Sequence, residues 1–325
     1  MGVGSQDAIK QFQAFIEQVE EPLRGTFQNV HQGHVTETLM RFLKARDWDP
    51  SKAYKMLVDC LNWRVQNEID HILSVSFYYA HHLHDFFVNT FFYKPIVPAD
   101  LYRSVRDSQL IGLSGYSKEV HYYVQSHIQI NEYRDRIILP SASKKHKRTI
   151  TTCIKVLDMT GLKLSALNQI KLLTIISSID DLNYPEKTNT YYITNAPYIF
   201  SACWKVVKPL LQERTRRKIQ VLPGCGRDEL LNVMDYSSLP HFCKREGSGS
   251  SRHSETGSEN CYSLDHPFHQ ELYNHIKQQA RLREAVEPIK HGSFHVDFPE
   301  PPDDEVEIAK TIESELHKYE NGNGV

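Results

Sequence analysis

The 325-residue chain has the composition of a folded soluble protein, 40% apolar and 24% charged, with a formal net charge of −2. Its length suits one sizeable domain with appendages or two small ones, and its near-neutral charge excludes a global pull toward nucleic acid or acidic membrane. Six cysteines, at 60, 153, 203, 225, 243 and 261, form no CxxC and point to buried free thiols in a reducing compartment, not a disulfide framework.

The amino terminus, MGVGSQDAIKQ, has no apolar h-region and predicts no secretory signal; Met-Gly alone is a poor myristoylation motif. Residues 1–30 predict a helical tail broken at Gly25. From Val35, VTETLMRFLKARDWDPSKAYKMLVDCLNWR predicts two helices. Leu39, Phe42 and Leu43 share one face of the first. Asp49 and Pro50 give the second an N-cap and a first-turn proline, and Tyr54, Leu57, Val58, Leu61 and Trp63 give it a broad apolar face.

Residues 74–93, SVSFYYAHHLHDFFVNTFFY, carry eight aromatics and three histidines in twenty positions. Asp85, Asn89 and the histidines count against a membrane span, since a central Asp costs about 2.5–3.5 kcal/mol there. His81, His84 and Asp85 have helical ligand spacing, but zinc takes three or four protein ligands and no cysteine pair lies nearby. Aromatic packing or disorder is the plainer reading.

Beyond Glu119, VHYYVQSHIQINEYRDRIILP predicts a helix and KKHKR (144–148) an exposed hairpin or connection. Strand and helix then alternate: ITTCIKVLD (150–158), a helix over 165–182, TYYITN (190–195), a helix over 198–211, RKIQVL (217–222) and a helix over 227–234. That order predicts a mostly parallel sheet with crossovers. EGSGSSRHSETGS (246–258) reads as a linker, HPFHQELYNHIKQQARLREAV as a helix, and HGSFHVDFPEPPDD as extended. In the last helix, Ile308, Ile312 and Leu316 recur every four residues, the mark of a docked face.

Catalytic patterns are sparse. The chain holds no G-x-S-x-G, no H-E-x-x-H and no P-loop. PGCGRDE (223–229) reads as a tight strand-to-helix connection, and Asp158 as either a ligand group at a strand end or the head of the turn DMTG. ERTRRK (213–218) runs straight into a strand, so its cations sit beside an apolar element, as an anionic amphiphile requires. No module for base readout appears. The residues read as a non-enzymatic protein with no cofactor and no metal.

Four stretches, TLMRFLKARDWDPSKA (38–53), VLDMTGL (156–162), NYPEKTNTYYITNAPYIFSACWKVVKPLL (183–211) and RRKIQVLPGCGRDELL (216–231), together resemble the Sec14-like, CRAL-TRIO lipid-transfer family. The likeness is nearest to the plant cytosolic Sec14-like phosphatidylinositol/phosphatidylcholine transfer proteins. It implies an α/β fold, a CRAL-TRIO domain of mostly parallel sheet and helices preceded by a small all-helical N-terminal domain. The implied parts are an N-terminal domain at 1–73, an aromatic insertion at 74–93, a lipid-binding domain at 94–243, a linker at 244–262 and a C-terminal extension at 263–325.

The resemblance further implies an apolar pocket for one phosphatidylinositol or phosphatidylcholine molecule. Arg46, Glu186, Thr215 and Lys218 match the head-group residues, and Asp228, Leu230, Leu231 and Met234 match the region of a mobile gate helix. A cytoplasmic monomer that meets membranes transiently, without nucleic acid, is the expected setting. Against the family pattern, the apolar strand expected after Glu119 is missing and residues 74–93 interrupt a direct junction. Alternatives are a phosphoinositide-sensing module without net transfer, or a non-functional variant with a damaged fold.

Overall fold

The computed structural model describes residues 3–74, 118–162, 170–244, 261 and 266–284. Four helices open the chain: α1 (Val3–Ile16), α2 (Leu23–His31), α3 (Val35–Lys44) and α4 (Pro50–Gln66). Gly25 does not break the first pair; it lies inside α2, and the break falls over 17–22. A helical glycine costs about 1 kcal/mol, which burial of Phe27 two residues later offsets. Asp49 Oδ1 accepts the Lys52 N–H at 3.0 Å and Pro50 follows, so α4 starts where its cap and proline dictate. Leu39, Phe42 and Leu43 from α3 and Met56, Leu57 and Leu61 from α4 are buried against Phe12 of α1.

After a 3₁₀ turn (Ile69–His71) and the stretch outside the described residues, α5 (Lys118–Tyr133) begins. The residues after Glu119 are thus helical, as Val124, Ile128 and Tyr133 on its buried side require. A π turn (Arg134–Ile138) joins α5 to α6 (Leu139–His146). Pro140 has no N–H for the carbonyl four residues back, a reason for the ladder to widen there. KKHKR is not a hairpin: it forms the last turn of α6 and closes on Lys147 in the left-handed region, its cations facing the negative end of the helix dipole.

The sheet alternates as expected: β1 (Cys153–Asp158), α7 (Ile170–Asn183), β2 (Thr188–Thr194), α8 (Phe200–Val207), α9 (Glu213–Arg216) and β3 (Ile219–Val221). Both pairings are parallel and the order is β1-β2-β3. Among the described residues no strand covers the outer side of β1. Val156 pairs with Tyr192, and Tyr192 with Gln220, so these lie on one face, shared two residues later by Leu222. Packed on that face are α10 (Arg227–Leu231) and α11 (His241–Lys244), through Leu230, Leu239 and Cys243. Finally α12 (Pro267–Glu284) lays Leu272 and Ile276 against the cluster of Ile69, Ile72, Val124, Ile128 and Ile179. The aromatic segment over 75–93, most of the linker, the Pro-rich stretch and the last helix lie outside the described residues.

A buried ion network joins the N-terminal helices to the sheet domain. Arg64 of α4 forks onto Glu132 of α5, Nη1–Oε1 2.8 Å and Nη2–Oε2 2.9 Å, while its Nε and Nη2 reach Asp70 Oδ1 at 3.0 and 2.7 Å. Arg136 Nη2 adds a second cation to Glu132 at 2.7 Å, and the Tyr184 hydroxyl donates to Glu132 Oε1 at 2.8 Å. Burial alone would raise the Glu132 carboxyl, but Arg64 and Arg136 outweigh it and hold it below the usual range.

Candidate functional site

The end of α7, the start of β2 and helix α9 line a cleft open to solvent. Its wall is polar and charged: Arg134, Asp180, Asp181, Glu186, Lys187, Arg214, Thr215 and Lys218 all contribute. The local folding explains the convergence. α9 is a single turn that feeds directly into β3, so Arg214, Thr215 and Lys218 arrive together. Glu186 adopts φ 57°, a left-handed turn between α7 and β2 that swings its carboxylate back toward them.

Three of the four expected head-group residues line this cleft. Lys218 Nζ donates to Glu186 Oε2 at 2.8 Å, and Thr215 Oγ1 donates to Asp181 Oδ1 at 3.2 Å. Arg46 is not part of the wall but touches it through Arg214: the Nη1 groups of both guanidiniums donate to the one carbonyl of Ala45, at 2.8 and 2.5 Å. Burial, and then the like charge of Arg214, lower Arg46 from its ordinary value. Two cations crowded on one neutral acceptor form a place where an anion gains charge-assisted hydrogen bonds.

Several contributors were not singled out from the sequence. Arg134 bonds Asp135 Oδ1 at 2.7 Å and Asn131 Oδ1 at 2.9 Å, yet its buried Nη2 has no partner among the described residues. Lys187 bridges to Asp135 at 3.0 Å, but burial dominates and lowers it to about 8. Burial likewise raises the Asp181 carboxyl, with Arg214 and Thr215 only partly opposing. The basic run ERTRRK flagged Arg214 only as one of a cluster. Arg134 sits in a helix 80 residues upstream, where nothing local marks it.

The expected gate residues are spread in burial. Leu230 is fully buried under the sheet face, Met234 is partly buried beside it, and Asp228 and Leu231 are exposed. The helix that carries Asp228, Leu230 and Leu231 is five residues long, and Met234 follows it in a turn. Asp158, by contrast, serves its turn: Oδ1 accepts from Thr160 N at 3.1 Å, Thr160 Oγ1 at 2.7 Å and Asn195 Nδ2 at 2.8 Å. PGCGRDE is the tight connection expected. Gly226 has φ +69°, and a Cβ there would meet Leu222 Cδ1 at 2.6 Å. His81, His84 and Asp85 lie outside the described residues.

Fold and cleft together define a small helical domain packed on an α/β domain that carries a cation-lined cleft and, on the other side of its sheet, an apolar face. The comparisons agree: the CRAL/TRIO domain matches residues 125–244, and the CRAL/TRIO N-terminal domain matches residues 8–59. Together the two spans take in more than half of the chain, which belongs to the CRAL-TRIO, Sec14-like family. Among its relatives, the phosphatidylinositol/phosphatidylcholine transfer protein SFH9 of Arabidopsis thaliana is 30% identical over 65% of this chain and 38% of that protein. The SEC14 cytosolic factor of Eremothecium gossypii is 28% identical over 62% of this chain and 67% of that protein. The crystal structure of Sfh5 aligns with a TM-score of 0.44 at 16% identity, covering 75% of this chain and 82% of that one. The chain thus spans well under half the length of the Arabidopsis relative.

Proposed function

We propose that this chain binds a single phospholipid, phosphatidylinositol or phosphatidylcholine, and exchanges it between membranes without covalent chemistry. The observation that carries the reading is the crowding of Arg46 and Arg214 on Ala45 O beside a cleft that already holds Lys218, Thr215 and Glu186. A phosphodiester there relieves the like-charge contact, while Glu186 and Thr215 offer hydrogen bonds to inositol hydroxyls. Acyl chains would enter between the face of Val156, Tyr192 and Leu222 and the α10–α11 segment once Leu230 withdraws. In water that opening is opposed, because it exposes apolar surface; at a bilayer the surface is covered.

The reading treats residues 1–73 as the helical domain, 74–93 as an insertion, 94–243 as the lipid-binding domain, 244–262 as a linker and 263–325 as an extension. It places a monomer in the cytoplasm, transiently at membrane surfaces. A plant-type member is the finer assignment, supported by the name and organism of the SFH9 relative. The test is vesicle-to-vesicle transfer of labelled phosphatidylinositol and phosphatidylcholine by the full chain. Transfer of either lipid above a protein-free control is expected, and loading without transfer would reject the carrier role.

A further inference from the structure

The segment that follows β3 is bounded by a cysteine at each end. Cys225 sits in the turn Pro223–Gly226, whose shape is fixed by the positive φ of Gly226 and its contact with Leu222. Cys243 lies in α11, and its Sγ donates to the carbonyl oxygen of Cys225 itself at 3.1 Å. Cys225 also packs against the buried cluster of Cys243, Tyr192, Leu222, Leu230 and Leu239. The two side chains differ in access: Cys225 is half-buried, and Cys243 is fully buried. Between them runs the whole expected gate region, Asp228, Leu230, Leu231 and Met234.

We propose that Cys225 and Cys243 form a redox modification site, where a peroxide joins them in a disulfide that ties both ends of residues 226–242 together. Cys225, the more accessible thiol, reacts first: hydrogen peroxide oxidises it to a sulfenic acid and one water leaves. Cys243 sulfur then displaces the sulfenic hydroxyl, its proton leaving with that group as a second water. Two thiols and one hydrogen peroxide thus give one disulfide and two waters, and a dithiol reverses the step. Burial, then the adjacent Cys225 thiol, raise Cys243 to about 12, so Cys243 is spared direct oxidation and its slow attack depends on being held against Cys225. The bridge shortens the free loop to residues 226–242 and removes most of its open conformations.

A third thiol supplies the internal control. Cys261 Sγ stands 3.2 Å from His241 Nδ1, two residues before Cys243, and so offers a competing partner. The effect on transfer rests on the carrier reading, but bridge formation and its effect on mobility do not. The full chain is treated with hydrogen peroxide, alkylated, and mapped by non-reducing peptide mass spectrometry, with amide exchange followed over 226–242. A Cys225–Cys243 peptide is expected, absent from Cys225→Ser, together with slower exchange across the segment and reversal by dithiothreitol. Vesicle transfer should fall severalfold on oxidation and recover on reduction, while Cys225→Ser transfers equally before and after peroxide. A bridge to Cys261, or exchange unchanged by the Cys225–Cys243 bridge, overturns the proposal. A reduced chain that never transfers lipid counts against the carrier reading alone.

Discussion

Two charged clusters centred two residues apart in the chain, on Glu132 and Arg134, do different work. Around Glu132 both carboxylates are answered: Arg64 forks onto Glu132, Arg136 and Tyr184 complete it, and Asp70 takes further guanidinium bonds, while Arg136 Nε alone of this group is buried without a partner among the described residues. Around Arg134, the answers are incomplete: its Nη2 is buried without a partner among the described residues, Lys187 shares Asp135 with it, and Arg46 and Arg214 compete for a carbonyl. A saturated network resists change and positions domains. An unsaturated one is poised for a ligand to finish it.

The largest test breaks the saturated side. Arg64→Ala leaves Glu132 with only Arg136 and Tyr184 and Asp70 with only Arg136 and Asn29, and removing one partner of a buried pair costs about 3–5 kcal/mol. Urea unfolding should show that loss; a change under 1 kcal/mol would mean the network is more solvated than its geometry implies. The carboxylates of the two clusters together predict an acid limit. Glu132, Asp70 and Asp135 are all held below their ordinary values against burial, by Arg64 for the first two and by Arg134 and Lys187 for the third. Their stabilisation is therefore fully present above the unfolded carboxylate value of about 4 and is lost as pH falls through the lower folded values. Stability measured from pH 6 to pH 2 should drop along that sign, and Arg64→Ala should flatten the drop.

On the unsaturated side the expected effect is smaller and selective. Lys218→Ala removes a charge-assisted bond of roughly 1.5–3 kcal/mol, so phosphatidylinositol loading should weaken about ten- to a hundredfold while phosphatidylcholine loading holds. Arg46→Ala should act in the same direction. Loss of both lipids together, with a lowered unfolding midpoint, would move these residues into the structural class and erase the contrast.

The order of helices and strands was legible because the periods are strong: Leu39, Leu43, Leu57 and Leu61 mark one helical core, and CIKVLD and TYYIT mark paired strands. The four head-group candidates came from the resemblance, and Glu186, Thr215 and Lys218 do share one cleft. What stayed hidden was non-local. Arg134 reads as an ordinary helical cation, since its burial comes from β2 and α7 closing over it. KKHKR misled for the opposite reason: helix propensity and a favourable dipole carried α6 through a run whose charge suggested a loop. Gly25 misled likewise, because packing outweighs the modest penalty of one helical glycine.

Lys187, within the Arg134 cluster, gives the finest discrimination. It lines the cleft, yet its salt bridge is to Asp135, which Arg134 also claims. Burial therefore prevails and Lys187 titrates at about 8, below an unfolded lysine near 10.4. Two opposite trends follow as pH rises. Above about 8 Lys187 becomes neutral, so loading of an anionic lipid should weaken, by less than tenfold between pH 7 and pH 9. Over the window from about 8 to 10 the unfolded chain binds more protons at this site, so its contribution to unfolding stability rises with pH. Lys187→Met should flatten both slopes. Loading and stability that instead fall together with pH would assign Lys187 to the structural network and leave the cleft with Lys218 and the paired arginines as its cations.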